Sequence, residues 1–239
     1  MNLDAVWHDL ECGGYAEDLA VWHTLAATAG GPVLDVGAGT GRVTLELAAR
    51  GVEVVALDIA QPLLTALECR AGELPITTVL ADALDFHLDR QFSLILVPMQ
   101  TLQLFGGSHG RGAFFRIALA HLIPGGVLAA ALADAMDCFD DEHDMLPPAE
   151  TREILGTRYS SQLLRVVDEH GRAAIHRRRE VFAAHGRCET IDVVLHLDRV
   201  LAHEVATEAH QVGFIIEPYL EIPETDQYLG STVLVLRAP

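Results

Sequence analysis

The sequence predicts an α/β protein built on a doubly wound, seven-stranded, mostly parallel sheet. Three observations carry this. The apolar run Val33 to Val36 breaks into glycines at 37, 39 and 41 and then becomes a helical pattern through Val43, Leu45, Leu47 and Ala48. A second strand-like run, Val52 to Leu57, ends in the acid Asp58. Further strand patterns at Ile76 to Leu80, Phe92 to Val97 and Val127 to Ala133 alternate with helical ones, the order expected of strand, helix, strand crossovers.

Length and composition bound the rest. At 239 residues the chain suits one domain (1 to 239) with an insert better than two independent domains. Half of it is hydrophobic, yet the longest apolar run, about Val127 to Ala133, is far too short to span a bilayer. The first residues carry no basic segment and no long apolar core, so no secretory signal is expected and the cytoplasm is the default location. Cys12, Cys69, Cys138 and Cys188 form no Cys-x-x-Cys pair, and they are expected to be reduced and mostly buried. A formal charge of -18 argues against nucleic acid or an anionic membrane as partner. All 16 basic residues are arginine, so no lysine base or Schiff base is available.

The glycine stretch reads as a nucleotide-type cofactor loop. Glycines at 37, 39 and 41 allow a tight turn, exposed amides and close approach of a ligand. Asp58, at the end of the next strand, is placed to accept hydrogen bonds from ribose hydroxyls. A nicotinamide or flavin loop wants a third glycine where Arg42 stands, whereas this chain has Gly-x-Gly-x-Gly and an acid, Asp35, inside the preceding strand. The run Val33-Leu34-Asp35-Val36-Gly37-Ala38-Gly39-Thr40-Gly41 resembles the first motif of class I S-adenosylmethionine-dependent methyltransferases.

That resemblance implies S-adenosylmethionine as cofactor and assigns Asp35, Gly37, Ala38, Gly39, Gly41 and Asp58 to its binding. It puts Ile59 against the adenine ring, with Asp82 accepting from the adenine amino group and Ala83 supplying an amide; a helix or turn cap is an equal reading of Asp82. It places Val97, at the end of the Phe92 to Val97 strand, by the methionine moiety. Metal-dependent members carry a carboxylate just beyond, where this chain has Pro98 and Met99, so no metal site is expected. Gln100 is a candidate for orienting acceptor or cofactor, and Met99 and Leu102 for a dry wall; that the same residues simply begin the next helix is the alternative.

The remaining elements follow in order. Residues 1 to 30 read as a helical lid, with a helix from Tyr15 to Ala27; Tyr15 is either a lid residue near the sulfonium or a packing aromatic. Pro62 suits the first turn of a helix from 61 to about Arg70. Gly106 to Gly110 reads as a flexible rim loop, which makes His109 either a general base or a solvated loop residue. Phe114 to Leu122 reads as a helix, and Leu122 to Gly126 resembles a family landmark of structural role. The acidic run Asp137 to Asp144 lacks converging ligand spacing and reads as a solvated loop or gate.

Thr157 to Glu169, Ala173 to Ala184 and Cys188 to Asp198, separated by turn glycines, predict an antiparallel three-stranded meander within an insert from 136 to 199. Nine of the 16 arginines lie between Arg152 and Arg199. The insert resembles the flap of aminosugar N-methyltransferases, which implies an acceptor roof or a homodimer contact. Leu201 to Gln211 reads as the last helix, and Ile215 to Leu220 with Thr232 to Leu236 as the closing strand pair. The expected activity is methyl transfer to a nitrogen or oxygen of a small-molecule acceptor. The rivals are a nicotinamide-dependent oxidoreductase and a non-catalytic cofactor-binding or dimerising module on the same fold.

Overall fold

The structure, a computed structural model, describes residues 2–133, 138–139, 146–183, 186, 188–225 and 230–239. Five strands run parallel: β1 (Val33–Val36), β2 (Val54–Asp58), β3 (Ile76–Leu80), β4 (Phe92–Val97) and β5 (Leu122–Leu132). β12 (Ser231–Arg237) lies antiparallel to β5, and β10 (Ile215–Ile216) and β11 (Leu220–Ile222) both pair with β12. The order is β10-β12-β5-β4-β1-β2-β3, with β11 off that path. One reversed strand in an otherwise parallel sheet is the predicted arrangement. The expected strand Ile215 to Leu220 is two short pieces instead.

β1, β2 and β4 are buried along their whole length because helices cover both faces. α5 (Gly107–Ala120) and α6 (Ala202–Val212) set Phe114, Phe115 and Val205 against Leu34, Ile95 and Leu128 on one face. α2 (Leu19–Ala29) and α3 (Arg42–Ala48) set Trp22, Val43 and Leu47 against Val33, Leu94 and Ala129 on the other. β1 pairs with β2 on one side and β4 on the other, so the chain leaves it in opposite directions. A crevice at the carboxyl ends of the strands follows from that switch.

Four further details differ from expectation. The helix predicted from Tyr15 begins at Leu19, and a separate helix, α1 (Leu3–Cys12), precedes it, capped by the Asn2 side chain accepting from the Asp4 amide at 2.8 Å. Gly106 to Gly110 is not a loop: Gly106 is the cap and α5 already runs from Gly107. Of the cysteines, Cys69, Cys138 and Cys188 are exposed and only Cys12 is half-buried.

The insert, finally, has four antiparallel strands where three were expected: β6 (Glu150–Ile154), β7 (Thr157–Glu169), β8 (Arg172–Phe182) and β9 (Cys188–Asp198). Leu155 and Gly156 both take positive φ, as do His170 and Gly171, the geometry of a two-residue hairpin turn. β6 gives no strand signal in the sequence because its charged residues lack apolar alternation. The acidic run 137 to 144 lies outside the described residues except at Cys138 and Phe139.

Two buried polar side chains fix the insert to the sheet. Gln103, 1% exposed, donates to the carbonyls of Ala133 (3.2 Å) and Asp198 (2.9 Å) and accepts from the Ala133 amide (2.9 Å). Both ends of the insert thus meet on one amide group. Arg111 adds a buried link, donating to Asp198 at 3.0 Å and to both oxygens of Glu208 at 2.7 Å.

Candidate functional site

The glycine loop turns over the carboxyl end of β1. The Gly37 and Ala38 amides donate to the Leu57 carbonyl at 2.8 and 3.1 Å, tying the loop to β2. The Gly39 amide donates to Asp58 Oδ2 at 2.8 Å, and the Ala60 amide to Oδ1 at 2.8 Å. Asp58 is 8% exposed, so two backbone donors hold it rigidly at the rim. Each carboxylate oxygen retains a second acceptor position. Gly39 has φ 57°, and a Cβ there would overlap the His8 imidazole. Both facts exclude a larger residue.

Asp35 lies directly beneath the loop. Its Oδ2 accepts from the Thr44 hydroxyl at 2.6 Å, while Oδ1 is buried without a partner among the described residues. Burial pushes its carboxyl up to about 6, with the Thr44 hydrogen bond acting in the opposite direction. A buried, unpaired carboxylate oxygen is costly, and a cationic or N–H donor arriving there would relieve it.

The rim continues through Ile59, 70% exposed immediately after Asp58. An apolar side chain so placed offers a face for a flat ring. The Ala81 amide donates to the Asp58 carbonyl at 3.1 Å, which brings Asp82 and Ala83 to the same edge. Asp82 is exposed and its Oδ1 accepts from the Leu84 amide at 2.9 Å, so the capping role is realised. Val97 is fully buried in the core, which leaves only its backbone to face the crevice. Beyond it Met99 has φ 54°, a conformation disfavoured for a side chain of this kind. Thr101 comes against Gly37, where any Cβ would overlap it. Gln100 precedes the short 3-10 turn Thr101–Leu104 and is half-buried.

Tyr15 lies beside Arg42, the residue that follows the glycine loop, and His109 lies on α5. The Tyr15 ring packs with Trp22 and Val33, and the Arg42 guanidinium sits 5.1 Å from its centroid. Burial and the nearby Asp18 carboxylate push its hydroxyl up to about 12. His109 is exposed on the first turn of α5 rather than on a loop. Arg42 donates to both oxygens of the fully buried Asp18, at 2.5 and 2.7 Å, and to the Tyr15 carbonyl at 2.9 Å. That ion pair fastens the glycine turn to the start of α2.

α1 closes the site from above, and four of its side chains reach different partners. Trp7 packs edge-on against Tyr159 of β7, with ring centroids 5.6 Å apart. His8 Nδ1 lies 3.2 Å from Thr40 Oγ1 in the glycine loop. Asp9 accepts from the Thr40 hydroxyl at 2.7 Å and from Arg70 of α4 (Gln61–Ala71) at 2.9 and 2.5 Å. Burial pushes the Asp9 carboxyl up, but the Arg70 and Thr40 hydrogen bonds outweigh it and hold it below its ordinary value. Glu11 accepts from Arg179 at 2.8 and 2.7 Å and from Ser161 at 2.7 Å. It too is held below its ordinary value, those bonds outweighing burial. His8, Gln103 and Arg111 carry no motif in the sequence; the only local signal for α1 was a capping Asn2 ahead of Val6, Trp7 and Leu10.

Among the described residues no three His, Cys, Asp or Glu side chains converge as metal ligands would. Nor is any described helix long and apolar enough to cross a membrane.

Comparison with known proteins bears on the same region. Residues 33–126 match the family described as a methyltransferase domain. A cypemycin N-terminal methyltransferase from Streptomyces sp is 30% identical over 125 residues, 52% of this chain and 49% of that protein, so the match spans about half of that relative's length. Over the full chain the fold is that of an S-adenosylmethionine-bound amino pentose methyltransferase from Micromonospora echinaspora involved in calicheamicin biosynthesis. That likeness has TM-score 0.74 and 19% identity, covering 100% of this chain and 98% of that one. A sugar N-methyltransferase from Streptoalloteichus sp superposes with TM-score 0.75 and 17% identity, covering 98% and 92%.

Proposed function

We propose that this chain, which carries a methyltransferase domain over residues 33–126, is an S-adenosylmethionine-dependent methyltransferase acting on a nitrogen or oxygen of a small molecule. The observation that supports it most is the rim itself. A pinned carboxylate at Asp58, an exposed apolar face at Ile59 and an orphaned buried oxygen at Asp35 stand along one glycine loop. These suit the three chemistries of the cofactor: a ribose diol, a flat base and an ammonium group. The domain match and the names of the relatives point the same way. A nicotinamide reading is opposed by Arg42, which fills the third-glycine position and is committed to Asp18.

When bound, the cofactor supplies an electrophilic methyl group on a sulfonium. The chain's own part is then to bind, orient and dry the site. Asp58 and Asp82 offer acceptors, Ile59 an apolar wall, and the Gly37 to Gly41 loop close backbone approach. Met99 and Gln100 stand at the carboxyl end of β4, on the acceptor side. With a neutral amine as acceptor, the C–S bond would break as the C–N bond forms and the positive charge would pass from sulfur to nitrogen, the new ammonium then losing its proton to water. Positioning and desolvation would carry most of the work, and no side-chain base is required for such an acceptor. We assign His109 no catalytic part, since it is solvent-exposed on α5.

We assign the insert to the acceptor side or to pairing of two copies, since its edge strand β9 exposes Ile191, Val194 and Leu195. The charge of -18 supports neither a nucleic-acid nor a membrane partner, and we place the activity in the cytoplasm. The test has two arms. Calorimetry should show S-adenosylhomocysteine binding and no comparable binding of NAD; the reverse refutes the cofactor. Transfer of labelled methyl should then be measured over aminosugars and a peptide with a free amino terminus. Cofactor binding without turnover on any amine or hydroxyl acceptor would favour a non-catalytic module.

A further inference from the structure

His8 stands directly over Gly39 of the glycine loop. Its ring packs on the Cα face of Gly39, and of the charged groups around it Asp58 exerts the largest electrostatic effect. The tautomer follows from the hydrogen bonds. The Thr40 hydroxyl has one proton and gives it to Asp9 Oδ1 at 2.7 Å, because an ionised carboxylate can only accept. The 3.2 Å contact between His8 Nδ1 and Thr40 Oγ1 therefore needs the proton on Nδ1. In the neutral ring Nε2 then carries a bare lone pair. Burial lowers the imidazole pKa, partly offset by Asp58, which keeps the ring neutral at physiological pH. Nε2 has no hydrogen-bond partner among the described residues, nor is it sealed from solvent as the orphaned Asp35 oxygen is.

We infer that His8 is a cofactor-binding residue, its Nε2 accepting a hydrogen bond from a ribose hydroxyl beside Asp58. The inference rests on the proposed methyltransferase function. A vicinal diol brings two donors, and Asp58 already receives two from the Gly39 and Ala60 amides. His8, on α1 against the same loop, offers a second acceptor for one of the two donors. It also gives the Gly39 position a second reason to lack a side chain, because His8 could not otherwise seat there.

Two substitutions separate this role from simple seating of α1. In His8→Asn the amide nitrogen stands where Nδ1 was and keeps the bond to Thr40, but nothing replaces Nε2. In His8→Gln an amide oxygen reaches the Nε2 position while the Thr40 bond is lost. S-Adenosylhomocysteine affinity should fall about three- to tenfold in His8→Asn, the loss of one hydrogen bond, and stay within about twofold of wild type in His8→Gln. The 2′-deoxy and 3′-deoxy analogues should show which hydroxyl is involved: for that one, wild type and His8→Asn should bind equally. Melting temperatures without ligand serve as the fold control. The inference is overturned if His8→Gln loses affinity and His8→Asn does not, if both lose it equally, or if neither does. Failure of the wild type to bind S-adenosylhomocysteine at all would instead strike the proposed function.

Discussion

Replacing Asp35 by Asn should make the protein's stability less sensitive to alkali, and the size of the effect follows from one buried carboxyl. Its pKa rises from the ordinary 3.8 to about 6 because the group is wholly buried with one oxygen unpaired. In the unfolded chain the proton leaves near 3.8; in the folded protein it is kept to about 6. Between those values the folded state holds more protons than the unfolded one, so stability falls as pH rises through the window and is lowest above it. The full penalty is about 3 kcal/mol, at about 1.36 kcal/mol per tenfold change in proton affinity. Roughly half of it, 1 to 2 kcal/mol, accrues between pH 5 and pH 8. Asn carries no such term, and its own packing cost is constant with pH. The difference in unfolding free energy, variant minus wild type, should therefore grow by about 1 to 2 kcal/mol across that range in urea titrations of dilute protein at fixed ionic strength. The same substitution should weaken S-adenosylhomocysteine binding, because the acceptor charge that a ligand would meet has gone. A difference that is flat with pH refutes the burial argument; undiminished affinity refutes Asp35 as a cofactor group.

Three further outcomes test other parts of the site. Gly39→Val should abolish thermal stabilisation by S-adenosylhomocysteine, which for wild type at a hundredfold excess over Kd is about 2.7 kcal/mol, or roughly 5 to 11 °C; a retained shift would place the ligand elsewhere. Glu11→Gln should lower stability by about 2 kcal/mol, since Arg179 and Arg177 lose a half-buried partner. Hydrogen exchange should then rise in α1, β7 and β8 but not in β1 or β4, and uniform change would contradict a local clamp. Activity, once an acceptor is found, should survive EDTA; loss restored by magnesium alone would show that a carboxylate set outside the rim binds metal.

Much of the parallel core was legible because strands covered on both faces must be continuously apolar, as Val33 to Val36 and Phe92 to Val97 are. The loop and Asp58 were legible for a related reason: a backbone that turns over a strand end needs glycine, and the acid follows at a fixed distance along the crossover. Local chemistry misled where tertiary packing sets the requirement. Gly106 to Gly110 reads as a loop by propensity, yet Gly110 lies inside α5, where a Cβ would overlap the Phe105 carbonyl. β6 is charged because it is the edge of a sheet exposed on much of its surface, so burial imposed no alternation on it.

The site's closure is a stronger instance of the same limit. Trp7, His8, Asp9 and Glu11 occupy barely more than one helical turn, and in sequence they are an unremarkable mix of aromatic and acid. Their meaning lies in partners 31 to 168 positions away: Thr40 and Arg70 on the cofactor side, Arg179 on the insert side. One short helix therefore touches both the loop that would hold the cofactor and the sheet assigned to the acceptor. Neither contact alone would make α1 more than a packing element. Together they mean that lifting α1 from the glycine loop must also disturb Trp7 on Tyr159 and Glu11 on Arg179, so the two halves of the site open against the same set of bonds.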